Sequence, residues 1–99
     1  MAGYRVTITC TDVKGHCAAG QKVGDTATFD GMNFQGHICI HALVSMMSKV
    51  FAMQQGINFT WLTDPDLATH ACPDGANPVL YEIRRQPLTE ATESGTRAP

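Results

Sequence analysis

Charge is what this chain has least of. Asp, Glu, Lys and Arg make up 16% of its 99 residues, against about a quarter in an ordinary globular domain, so apolar and uncharged groups must form much of the surface. The lysines and arginines are scattered without a basic run, and the net charge is −2. Nucleic-acid binding therefore has no electrostatic footing. No apolar run approaches the ~20 residues that span a bilayer, and Met1-Ala2-Gly3-Tyr4-Arg5 lacks the basic-then-apolar build of a signal peptide. The expected location is the cytoplasm. There is no internal repeat, no sign of a second domain and no Cys-x-x-Cys pair, which excludes repeat arrays and the zinc-ribbon and thioredoxin spacings. A single domain of this size gains materially from a metal or a partner subunit.

What the chain does have is cysteine. Disulfides are rare in the cytoplasm, so the four cysteines read as reduced thiols, metal ligands or redox groups. Cys10 ends the alternating run Tyr4 to Cys10, in which Tyr4, Val6, Ile8 and Cys10 share one face of a half-buried strand. It is expected to be a small buried hydrophobe and is left out of any site. Cys17 lies in the glycine-rich loop from Thr11 to Asp25, where exposed backbone N–H groups can turn toward sulfur. A short strand, Thr26 to Phe29, follows and closes at Asp30-Gly31.

Cys39 falls where a loop enters the one long helix, expected over Ile38 to Gln54 with Gly56 just past its end. A thiol in the first turn meets the positive end of the macrodipole, which favours the form that binds metals and attacks electrophiles. At 100° per residue Cys39, Leu43, Met46 and Val50 form one apolar stripe, and Ile40, Val44, Met47 and Phe51 a second. One strip suits the protein's own sheet and the other a second subunit, so a homo-oligomer assembled through the helix is expected. The methionines read as core filler rather than soft-metal ligands. His41 falls about 200° from Cys39 on this wheel, on the polar side, and is not expected to reach the same metal.

Beyond the helix, Asp64-Pro65-Asp66 is a turn whose carboxylates cap the backbone, or else a pair of acids for proton transfer. Leu67 to Cys72 is expected as a strand with His70 and Cys72 on one face, and Val79 to Arg84 as its hairpin partner across Pro73 to Pro78. The order predicts an α+β fold: a small, mostly antiparallel sheet of about four strands with one helix packed on it, spanning residues 1–86. The polar, aperiodic stretch 87–99 is expected to be a disordered tail.

Cys17, Cys39 and Cys72 thus come from a loop, a helix start and a strand end, and every histidine stands within two positions of one of them. Cys72-Pro73 matches a dipeptide that recurs at iron–sulfur ligands. Three thiolates without an obvious fourth leave one metal position open, as reactive sites require and structural zinc sites avoid.

The ordered set Gly15-x-Cys17, Gly36-x-x-Cys39-x-x-Ala42-Leu43, Trp61 with Asp64-Pro65-Asp66, and Cys72-Pro73-Asp74-Gly75-x-Asn77-Pro78-Val79 resembles a family of small, largely uncharacterised prokaryotic three-cysteine proteins. The resemblance covers about Tyr4 to Gln86 and implies that the three cysteines act as a unit. It implies no established activity. This chain departs from the family pattern at Ala18, where proline is common, and at His41, where an aromatic residue is common.

The expected function is a metal centre on Cys17, Cys39 and Cys72, an iron–sulfur cluster ahead of zinc, with the fourth position open or capped by His70 or an exogenous group. A substrate pocket for a small molecule would then be lined by Trp61 and by Asp64 or Asp66. The alternatives are a zinc protein on the same cysteines, a non-catalytic metal carrier or sensor, and a metal-free enzyme with Cys39 as nucleophile.

Overall fold

The computed structural model describes residues 3–17 and 19–88. It is an α+β fold with five strands, one more than expected, in the order β3-β2-β1-β5-β4. β1 (Tyr4–Val13) lies at the centre, paired antiparallel with β2 (Thr26–Phe29) and β5 (Val79–Pro87). β3 (Phe34–Gly36) and β4 (Leu67–Ala71) form the edges, and α1 (Ile40–Gln54) crosses one face.

Alternation carries the core. Val6, Ile8 and Cys10 of β1 face α1 with Val79, Tyr81 and Ile83 of β5, and all are buried. The register sets Ile8 opposite Ile83 and Cys10 opposite Tyr81, so the two inward rows interlock side by side. β1 runs three residues past the expected end at Cys10. It does so through an irregularity at Thr11, where the register shifts between Cys10 and Asp12, and one extra residue of this kind breaks the alternation that marks a strand.

β3 is the strand with no sequence signal, because its three residues are exposed throughout. The turn before it is built by Asp30, whose Oδ1 accepts from the N–H groups of Met32 and Asn33 at 2.9 and 2.8 Å. Gly36 then passes so close to Thr26 and Ala27 that any Cβ would overlap their backbone, and its φ is +130°. Only glycine fits there.

The helix begins two residues later than expected. Cys39 is its N-cap, with extended backbone (φ −53°, ψ 132°), and its carbonyl accepts the first helical N–H, that of Leu43. The far end closes as predicted, with Gly56 at φ +92° just past the Gln55 cap and the Ile57 and Gly56 N–H groups returning to the Ala52 and Met53 carbonyls. The stripe buried on the sheet is Ala42, Met46, Val50 and Met53, while Leu43 is only half-buried. It is rotated from the expected stripe toward the Ala42 and Met53 side of the apolar arc.

The hairpin of β4 and β5 forms as expected, with Ala68 opposite Ile83 and His70 opposite Tyr81. β5 continues to Pro87, and the Leu88 N–H donates to the Gly3 carbonyl at 2.9 Å, so the folded domain extends past the expected boundary at 86. The rest of the expected tail, 89–99, lies outside the described residues.

Candidate functional site

Three connections meet at one end of the sheet. The loop after β1 carries Cys17, the entry to α1 carries Cys39, and the residue after β4 is Cys72. All three thiols are half-buried and line one cavity of about 320 Å³ together with His41, Asp74 and Asn77. The three cysteines thus line one cavity, and Cys10 is buried in the core, as read from the alternation.

Local chemistry holds each wall. Asp74 Oδ1 accepts from the N–H groups of Ala76 and Asn77, shaping the turn after Cys72. Asn77 in turn accepts the His16 N–H at 3.1 Å, and a Cβ on Gly15 (φ +99°) would strike its side chain. That contact pins the Cys17 loop to the Cys72 turn. The Val79 N–H donates to Cys72 Sγ at 3.2 Å.

Gln21 organises the third wall, and nothing in the sequence pointed to it. Its side chain is buried and uses every bonding capacity of an amide. Oε1 accepts from the Cys39 N–H at 2.7 Å and the Tyr81 hydroxyl at 2.9 Å, while Nε2 donates to Asp25 Oδ2 at 2.9 Å and the His37 carbonyl at 3.0 Å. The Lys22 backbone N–H, and then this amide, hold the Asp25 carboxyl below the usual carboxylate range. A glutamine between glycines reads as solvated loop, so its role needs the tertiary structure to be seen.

Tyr81 is the buried titratable group behind the cysteines. Burial pushes its phenol well above the ordinary tyrosine range, and the charges of Cys10, Cys39, Cys72 and Cys17 push it further in the same direction. Among the described residues no group of three or more His, Cys, Asp or Glu side chains is placed to hold a metal ion as it stands.

The histidines are distributed differently from expectation. His41 lines the cysteine cavity, because the wheel angle that set it apart from Cys39 does not apply to a residue outside the helix. His70 is placed elsewhere: its Nε2 lies 2.8 Å from Ser45 Oγ and its Nδ1 3.3 Å from Lys49 Nζ, and it lines a different cavity. Burial, and then the Lys49 ammonium, hold its imidazole below the ordinary histidine range.

Nor are the expected substrate residues among those that line the cysteine cavity. Asp66 stands at the start of β4 and Cys72 just past its end, roughly 20 Å apart at about 3.3 Å per strand residue. Asp66 Oδ1 instead accepts from Arg85 Nε at 2.8 Å. The buried Arg85 guanidinium also donates to the Met53 and Ile57 carbonyls and to Asn58, and lies over the Tyr4 ring. Asp64 Oδ1 caps the Asp66 N–H at 2.9 Å, the turn role weighed from the sequence. Trp61 is 70% exposed and stacks on Phe59.

No family model, curated protein or solved structure matches the chain; its cysteines, their cavity and the buried glutamine are what bear on its chemistry. No helix among the described residues is long and apolar enough to cross a membrane.

Proposed function

We propose that the protein is a metal-centre protein whose Cys17, Cys39 and Cys72 hold an iron–sulfur cluster, with the fourth position left to a non-cysteine group. The observation that carries this is the convergence of three cysteines from three separate connections on one cavity of about 320 Å³. A single zinc ion binds sulfur at ≈ 2.3 Å in a tight tetrahedron, whereas a cluster of several atoms spreads its cysteine ligands more widely. Sulfurs spread around a cavity suit a ligand of several atoms. Zinc on the same cysteines is the second reading.

The metal-free alternative finds less support. A cysteine nucleophile needs a base in hydrogen-bond reach, and among the described residues the Cys39 thiol has no histidine hydrogen bond and makes no side-chain cap to the helix N–H groups. We further propose that the protein assembles as a homo-oligomer through the exposed strip of α1. Ile40 and Val44 are 63% and 68% exposed there, a patch of the kind that marks association.

Anaerobic reconstitution with ferrous iron and sulfide, followed by iron and sulfide analysis and a visible spectrum, tests the metal centre. The wild type should take up both and turn brown, and Cys39→Ser and Cys72→Ser should not. Protein that stays folded, colourless and metal-free overturns the reading, and a colourless protein with one zinc per chain replaces the cluster with zinc.

A further inference from the structure

We infer that His41 is the fourth ligand of the centre, through its imidazole, so that the site is a three-cysteine, one-histidine site closed by the protein itself. This rests on the cluster reading above and decides what fills its remaining position. His41 is the histidine that lines the cavity with Cys17, Cys39 and Cys72, and it is exposed at the cavity edge. Its ring takes part in no hydrogen bond or ion pair among the described residues.

The other histidines are committed or misplaced. Both His70 nitrogens are engaged by α1, through Ser45 and Lys49. His37 gives its carbonyl to Gln21 and has its ring 3.9 Å from the Asp25 carboxylate. His16 is fixed through its backbone N–H to Asn77 and does not line the cavity.

The backbone explains why His41 can serve. As N-cap, Cys39 turns out of the helix with extended φ and ψ, while His41 is the second helical residue. The kink between them brings to one cavity two side chains that a continuous helix would point apart. A side chain so close to the helix start also has no preceding helical turn to restrict it.

A neutral imidazole in place of a thiolate lowers the negative charge of a cluster and raises its reduction potential. Closure by the protein also removes the open position that Lewis-acid chemistry on a small molecule requires. The site then transfers or senses electrons instead of binding substrate at iron.

The test uses the anaerobically reconstituted full chain and its His41→Ala, His41→Cys and His70→Ala variants. Electron nuclear double resonance on the paramagnetic state of the cluster should show nitrogen coupling in the wild type and in His70→Ala, and none in His41→Ala. His41→Cys should retain the cluster, lose the nitrogen coupling and have a lower reduction potential. Nitrogen coupling that survives in His41→Ala, or is absent from a fully loaded wild type, overturns the assignment while leaving the three-cysteine cluster in place. Wild-type protein that takes up no iron and sulfide overturns both. Before reconstitution the His41 variants should unfold at the urea midpoint of the metal-free wild type, because His41 is exposed and its ring makes no hydrogen bond or ion pair among the described residues.

Discussion

The Tyr81 hydroxyl donates to Gln21 Oε1 at 2.9 Å, and the same oxygen accepts the Cys39 N–H. One buried amide thereby joins the centre of β5 to the residue that opens the helix. Gln21→Leu keeps the approximate volume and removes all four bonds. The Cys39 N–H, the Tyr81 hydroxyl and the His37 carbonyl each lose a partner, at ~1–3 kcal/mol for each group that water cannot reach. The expected destabilisation is about 2–4 kcal/mol by urea unfolding, with weaker retention of iron. A loss under about 1 kcal/mol would show that water replaces the amide.

The surroundings of His70 set the sign expected for its contribution to the pH dependence of stability. Its imidazole is held below its ordinary value of 6.5 by burial first and by Lys49 second. The unfolded chain therefore binds the proton more readily, and the stability associated with neutral His70 is complete above about pH 6.5 and is lost as pH falls through the folded-state value. Groups facing the ring are Lys49 and Ser45 from α1, with Tyr81 opposite it on β5. Urea unfolding of wild type and His70→Asn at pH 7.5 and pH 5 should show the wild type losing more stability on acidification. Equal losses would mean that His70 titrates as in the unfolded chain.

Arg85 and Asp66 form a partnership in which the two ends are unequal, because the Arg85 side chain is 2% exposed and the Asp66 side chain 51%. Arg85→Met strands the Met53 and Ile57 carbonyls and should cost several kcal/mol, on the order of the 3–5 kcal/mol seen when buried charged networks are broken. Asp66→Asn keeps an acceptor for Arg85 and should cost about 1 kcal/mol or less. Neither Asp66→Asn nor Trp61→Ala should change iron uptake. Loss of uptake in either would return those residues to the site from which their positions remove them.

Period-2 alternation made β1 and β5 legible, and with them the burial of Cys10 and the face carrying Val79, Tyr81 and Ile83. Gly56 marked the helix end, since a positive φ there demands glycine. The helix start was not legible, because Cys39 as an N-cap carries none of the usual capping side chains and the apolar periodicity runs through it. That two-residue difference is what set His41 apart from Cys39 on the helical wheel. His70 was placed near Cys72 by strand alternation alone, which says nothing of the Ser45 and Lys49 side chains that claim its ring. Gln21 was invisible because four partners from three separate stretches of chain define it.

The helix strip yields the last prediction. Ile40 and Val44 are exposed, Phe51 is 49% exposed with its ring edge-on to Phe29 at 5.1 Å, and Met47 packs partly against the core. Half of the expected strip is therefore already in use within the subunit, and the free part lies at the N-terminal half of α1, beside the cysteine cavity. Burying Ile40 and Val44 against a second copy contributes about 1.5–3 kcal/mol each before the cost of association, so the dimer should be reversible at micromolar concentration. Phe51→Glu would damage the Phe29 contact and confuse assembly with folding. Ile40→Glu with Val44→Glu instead places both charges where no core contact is lost, and should yield a folded monomer by light scattering with its urea midpoint unchanged when measured under dilute conditions. Wild-type protein that is already monomeric at 100-fold higher concentration would mean that this strip faces water, and that the low charge of the chain is tolerated without a partner.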